Sequence, residues 1–235
     1  ALRALDQATP LVKLGDARSS RPEVKASGVR FVSPRRVDQL PAGGLVVGGT
    51  CFALAKLLGA TGFHFAVFDE AGQLPVSHAL PGMLLAPRQV FVGDHRQLPP
   101  VTTTEHADAL AHTSVFELLH SHYGSRLLDT TYRMNDGLCQ VISELFYQGA
   151  LRAAPETEQR RLPAPTKNAV AQVAKPLLSP SQRDALLDPD APLTIARVDH
   201  FHPGMRSQLE ARCVAELVGA LIERHGIEPA EIAVV

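Results

Sequence analysis

Two short stretches gather residues able to handle a phosphate, a divalent cation and a water molecule: Asp69-Glu70-Ala71-Gly72-Gln73 and Gly93-Asp94-His95-Arg96-Gln97-Leu98-Pro99-Pro100. Each follows an apolar run, Phe65-Ala66-Val67-Phe68 in the first case and Gln89-Val90-Phe91-Val92 in the second. Short runs rich in β-branched and aromatic residues predict strands of a parallel sheet covered on both faces, and such sheets bind ligands beyond the carboxyl ends of their strands. The acids are therefore expected where a ligand sits. Two adjacent carboxylates suit nucleotide hydrolysis, with Asp69 holding Mg²⁺ on the phosphates and Glu70 orienting or deprotonating the attacking water. A lone Asp-Glu pair would otherwise read as a turn cap.

Further along stands Thr131-Tyr132-Arg133-Met134-Asn135. In this order and at these separations, the three stretches resemble motifs II, III and IV of superfamily 1B nucleic-acid helicases. The branch in question includes the nonsense-mediated-decay helicase and the Okazaki-fragment helicase-nuclease. The resemblance covers residues 1–150 and 194–235. It implies an α/β fold made of parts of two RecA-like P-loop NTPase domains with mostly parallel sheets, ATP and Mg²⁺ as cofactors, and single-stranded DNA or RNA as partner. On this resemblance Asp69 serves the metal, Glu70 the water, and Gln97 senses the γ-phosphate. Gly93 and Asp94 lie against the nucleotide, and Arg133 acts as an arginine finger. Thr50, after Gly48-Gly49, corresponds to a threonine that touches the nucleic-acid backbone. Gly-Gly-Thr also reads as a plain turn, and Arg133 as half of a surface ion pair with Asp129 or Asp136.

Composition narrows the setting. With 235 residues, 45% of them hydrophobic, the chain is able to bury a substantial core, and its formal charge of −1 excludes a global basic field for nucleic acid. A binding surface would have to be a local groove. Cys51, Cys139 and Cys213 form no Cys-x-x-Cys pair and no zinc spacing, so they read as buried thiols of a cytoplasmic protein. No run approaches the roughly 18 apolar residues of a membrane span, and no leader opens the chain. His106, His112, His120 and His122 lack a metal-binding pattern and read as surface residues.

The elements that must position these residues follow in order. Ala1 to Ala8 looks helical, Leu11 to Gly15 and Leu45 to Val47 read as strands, and Thr102 to Thr104 lies in a polar loop. Ser114 is expected to cap a helix that stops at Gly124, and Asp136 one that ends at Gly149 with Leu138, Val141, Ile142, Leu145 and Phe146 inward. Pro155 to Pro192, rich in Pro, Ala and charge, is expected to be a loosely packed excursion with a short helix within Leu177 to Leu187. Thr194 to Val198 and Ile232 to Val235 read as strands. Between them Ser207 and Glu210 suggest a capping box before a helix burying Leu209, Cys213, Leu217 and Leu221 with Val214, Val218 and Ile222. The division expected is a first domain over residues 1–126 and a second over 127–235.

No Gly-Lys pair occurs in the sequence, so the phosphate-cradling loop of such enzymes is missing. The expectation is an internal segment of a helicase, inactive by itself, with a nuclease or other domains possible elsewhere. Alternatives are a translocating ATPase that does not unwind and a nucleotide-independent nucleic-acid-binding module.

Overall fold

Leu11–Leu14 (β1) alternates its side chains, burying Val12 and Leu14 while Leu11 and Lys13 are half-buried. It pairs in parallel with Arg30–Val32 (β2) on one side and Val46–Gly48 (β3) on the other, giving the order β2-β1-β3. Parallel neighbours need a crossover, and between β1 and β2 it includes a short helix, Pro22–Ala26 (α1). Val12, Leu14 and Val32 pack with Leu57 and Leu85 into one core cluster. The computed structural model describes residues 9–101, 110, 112–166, 176–199 and 206–235. The helix expected over Ala1 to Ala8, the loop at Thr102 to Thr104 and His106 lie outside the described residues.

Phe65–Phe68 (β4) and Arg88–Phe91 (β5) form a second parallel pair, joined through Val76–Met83 (α3). The rings of Phe68 and Phe91 stack with centroids 4.6 Å apart. With Ala71, Ala79 and Val115 they make a second cluster, onto which Cys51 of Cys51–Leu54 (α2) and Leu119 of Val115–Tyr123 (α4) pack. The expectation of cover on both faces is corrected here. Phe65 and Val67 are exposed at 55% and 68%, with Val90 at 43%. The period of two sends Ala66 and Phe68 inward and their neighbours out, and only the inner face meets helices among the described residues.

The chain divides into two compact units, Ala1–Arg126 and Leu127–Val235. In the second, Thr130–Thr131 (β6) pairs in parallel with Arg152–Ala153 (β7) across Asp136–Tyr147 (α5). Asn135, not Asp136, caps this helix, because its side chain accepts from Leu138 N at 2.9 Å. Gln148 and Gly149 both take positive φ at its end. The buried stripe is Cys139 and Ser143, while Leu145 and Phe146 are exposed. Ser143 Oγ donates to Leu151 O and accepts from Leu151 N, which draws that face onto β7.

The stretch after β7 has mostly exposed residues where it is described, as expected of an excursion, and it carries the short helix read within Leu177 to Leu187. Its described parts contain Pro155–Glu158 (α6), with Thr157 fully buried, and Pro180–Leu186 (α7), which starts in a complete Ser179/Gln182 capping box. α7 and the segments around Pro163 and Leu177 dock on Gln208–His225 (α8) through polar groups. Glu216, 5% exposed, accepts from Leu177 N at 2.7 Å and Leu178 N at 3.1 Å. Arg224 Nη1 pairs with Asp184 at 2.6 Å, and His225 Nδ1 donates to Pro163 O at 2.6 Å. These contacts turn the buried face of α8 to Cys213, Glu216, Ala220 and His225, leaving Val214 and Ile222 exposed. Thr194 to Val198 and Ile232 to Val235 form no strands. Ile195 and Val234 are exposed, and no described residue offers either segment a ladder of hydrogen bonds.

Candidate nucleotide-hydrolysis site

Because β4 and β5 run parallel in the register Phe65↔Arg88 to Phe68↔Phe91, their carboxyl ends emerge side by side. The ladder continues past both strands. Val92 N donates to Phe68 O at 2.8 Å, and Ala71 N donates to Val92 O at 2.9 Å. Asp69 and Glu70 therefore leave β4 next to the Gly93-Asp94 turn that leaves β5, with both carboxylates exposed. Asp69 Oδ1 accepts from Glu70 N at 3.0 Å. Glu70 adopts the left-handed conformation, φ 52° and ψ 37°, which costs a residue with a Cβ on the order of 1–3 kcal/mol. The hydrogen bond from Ala71 N to Val92 O fixes the chain just beyond Glu70 and holds it there.

On the other loop Asp94 organises its followers. One carboxylate oxygen accepts from Arg96 N at 2.9 Å and the other from Gln97 Nε2 at 3.0 Å. Gln97 is thus oriented by a carboxylate three residues earlier and remains exposed. The sequence carried this as an Asp-x-x-Gln spacing in a turn, but the role expected for Asp94 was contact with nucleotide. His95 stacks on His120 of α4 at 4.4 Å between centroids, and Phe116 lies 6.2 Å from each ring. Burial lowers the His95 pKa, followed by the charges of His120 and Arg96, with Asp94 and Glu117 opposing. His120 is consequently no surface residue: it is half-buried, and its Nδ1 is sequestered without a hydrogen-bond partner among the described residues. Its one trace in the sequence is the four-residue spacing from Phe116 on the same helix.

Thr50 caps α2, accepting from Ala53 N at 3.3 Å, and is exposed. In the second unit Arg133 follows β6. Its amide donates to Thr131 Oγ1, and its carbonyl accepts from Arg160 Nη1 at 3.4 Å. Arg160 Nη1 also reaches Tyr132 O at 3.4 Å, and Asn135 Nδ2 donates to Arg160 O at 2.9 Å. The Arg133 guanidinium is exposed and makes no ion pair among the described residues, while Asp129 pairs with Arg152 at 3.6 Å. Arg160, in a stretch with no detectable motif, is the residue that sequence reasoning missed here. The three cysteines are free, with Cys139 and Cys213 buried and Cys51 half-buried; burial pushes the thiols of Cys51 and Cys139 up. No metal cluster and no membrane-length apolar helix occur among the described residues.

The site thus joins a parallel α/β pair to two exposed carboxylates beyond a strand end. Family profiles described as AAA domain match residues 44–105 and 111–235, the second covering more than half of the chain. A DNA-binding protein SMUBP-2 from Mesocricetus auratus is 39% identical over 105 residues, 43% of this chain and 10% of its own length. The DNA replication ATP-dependent helicase/nuclease JHS1 from Arabidopsis thaliana is 27% identical over 206 residues, 86% of this chain and 15% of its own. The corresponding DNA2 of Mus musculus is 26% identical over 81% of this chain and 19% of its own. The chain belongs to the superfamily 1B helicases, in the branch of the nonsense-mediated-decay helicase and the Okazaki-fragment helicase-nuclease, and spans less than a fifth of the length of these relatives.

Proposed function

We propose that in the full-length protein this chain is part of an ATP-dependent helicase that couples hydrolysis to 5′-to-3′ movement on single-stranded DNA or RNA. The observation that carries the reading is the continued β4–β5 ladder, which sets Asp69 and Glu70 beside the loop holding Gln97. Exposed carboxylates with free oxygen capacity fit a hard cation such as Mg²⁺, and when bound the metal would neutralise charge on the phosphates. Asp69 would hold it. Glu70 would take a proton from the attacking water, and Gln97, fixed by Asp94, would meet the γ-phosphate. The exposed Arg133 would offer positive charge to the phosphates, and Thr50 would touch the nucleic-acid backbone. The phosphate-cradling Gly-Lys is not among these residues, so the chain alone is expected to be inactive.

The test is ATP turnover beside strand displacement with the full-length protein. Turnover stimulated by single strands, with displacement of a strand annealed ahead of a 5′ overhang, is the expected result. Turnover without displacement would make the protein a translocase, and binding with no turnover would make it a nucleotide-independent module.

A further inference from the structure

The three strands of the first sheet end level with one another. In the register Leu14↔Val32 and Lys13↔Gly48, the next residues Gly15, Ser33 and Thr50 fall at one height, and Gly15 N donates to Val32 O at 3.0 Å. Neighbouring strands lie about 4.8 Å apart, so the edge from Ser33 across Gly15 to Thr50 is about 10 Å wide. What leaves the sheet along this edge is basic. Between Gly15 and Arg36 six arginines and lysines stand against two acids, although the whole chain has a formal charge of −1. Two of the arginines are placed at the strand ends by tight turns. Asp16 Oδ1 accepts from Arg18 N at 2.8 Å, which closes the turn after β1. After β2, Ser33 Oγ accepts from Arg35 N at 3.4 Å and Ser33 O from Arg36 N at 2.9 Å. Arg36 pairs with Asp38 at 3.5 Å, whereas Arg18 and Arg35 are exposed and make no ion pair among the described residues.

At the β3 end of the same edge, Thr50 Oγ1 accepts from Ala53 N and keeps its O–H to donate. Two residues on, Phe52 is 66% exposed, its ring set edge-on to His78 of α3 with centroids 4.8 Å apart. Guanidinium forks match the oxygens of a phosphate, a hydroxyl is a further donor to them, and an exposed ring gives a base a face to stack on. An acidic protein segment would engage the arginines and leave the ring idle. We propose that the carboxyl edge of the β2-β1-β3 sheet is a track for single-stranded nucleic acid, in which Arg35 and Arg18 hold phosphates in line with Thr50 and Phe52 stacks on a base. The inference rests on the helicase reading above, which places Thr50 alone on the nucleic-acid backbone.

The test is fluorescence anisotropy of the nucleotide-free full-length protein with a labelled single-stranded oligodeoxynucleotide, and with the RNA of the same sequence, over a series of salt concentrations. Each phosphate contact on a single strand contributes about 0.7 to the slope of log K against log salt. Arg18→Gln and Arg35→Gln should each flatten the slope by about that amount, and the double variant by about 1.4. Arg88→Gln removes an exposed charge at the amino end of β5 and should leave the slope unchanged. Phe52→Ala should weaken binding at least about fivefold, the low end for one stacked base, and this loss should vanish on an abasic strand. An unchanged slope in the double variant overturns the proposal and leaves the arginines to an acidic protein partner. Equal flattening by Arg88→Gln overturns it in favour of diffuse attraction, and an undiminished Phe52→Ala loss on the abasic strand overturns it by showing that the ring serves the fold. Wild-type protein that binds neither strand would instead remove the helicase reading, and this inference with it.

Discussion

Glu70 combines an exposed carboxylate with a left-handed backbone at the mouth of a parallel pair. Glu70→Gln keeps its shape and removes its basicity, so hydrolysis should fall by about 10²- to 10⁴-fold with nucleotide affinity nearly unchanged in the full-length protein. Turnover and calorimetry losing ground in proportion would assign Glu70 a structural role. His95 carries a pH prediction. Burial, the His120 ring and Arg96 lower its folded pKa against the pull of Asp94 and Glu117, so the unfolded chain binds its proton more readily. The His95 contribution to stability is then fully present above the unfolded value near about 6.5 and declines as pH falls through that value toward the lower folded one. Thermal unfolding between about pH 5 and 8 should show this slope, and His95→Gln should flatten it; an unchanged slope would place its origin elsewhere. At this scale the candidate groups were legible by their types, and the ladder beyond β4 and β5 sets Asp69 and Glu70 beside the loop that carries Gln97. The burial of His120 was not legible, since the His95 ring stacked on it comes from another element.

Helices and strands in this chain were legible where one face meets one partner. β1, β4 and β5 fall within a residue of their apolar runs, and Ser114 caps α4 through Glu117 N as its type and place suggest. The helices Pro180–Leu186 and Gln208–His225 were also read from their sequence, but the polar contacts that dock them were not. The region from Pro155 onward buries few residues, and its docking rests on Glu216, Arg224 and His225, which a hydrophobic pattern scores as solvent-facing. Glu216→Ala should therefore leave two part-buried amides without an acceptor, costing about 1–3 kcal/mol for each orphaned group. Urea unfolding would register it, and a loss below about 0.5 kcal/mol, the scatter of ordinary surface changes, would show that water replaces the carboxylate. Asn135 allows a finer division, because its oxygen caps α5 and its nitrogen ties Arg160 O. Asn135→Asp should keep the cap and lose only the tie, whereas Asn135→Ala should lose both, at a cost greater by about 1 kcal/mol. Equal losses for the two variants would show that the cap contributes nothing.

Over the whole chain, the segments read as strands at Thr194 to Val198 and Ile232 to Val235 show why apolar character alone is insufficient. A strand exists only through a neighbour's hydrogen bonds, and neither segment has one among the described residues. Whole-molecule predictions must likewise respect what each part lacks. Without a Gly-Lys cradle, this chain by itself should show no micromolar affinity for ATP by calorimetry; such affinity would mean that its carboxylates and Gln97 suffice. Arg133 extends the argument to the full-length protein. Its guanidinium is exposed, no described carboxylate neutralises it, and Asp129, one of the two acids able to claim it, is paired with Arg152. Its main chain is meanwhile held by Thr131 and Arg160, so its side chain projects from a fixed base. Such an arrangement suits a group that acts on external negative charge, and arginine fingers contribute about 10³ to 10⁵ in rate. Arg133→Ala should then lower ATP turnover at least about a hundredfold, a cautious part of that range, while nucleotide-free binding to single strands persists. A surface arginine is worth about 0 to 1 kcal/mol. A kcat within about threefold of wild type would match that smaller role, because less than 1 kcal/mol corresponds to at most about a fivefold change in rate.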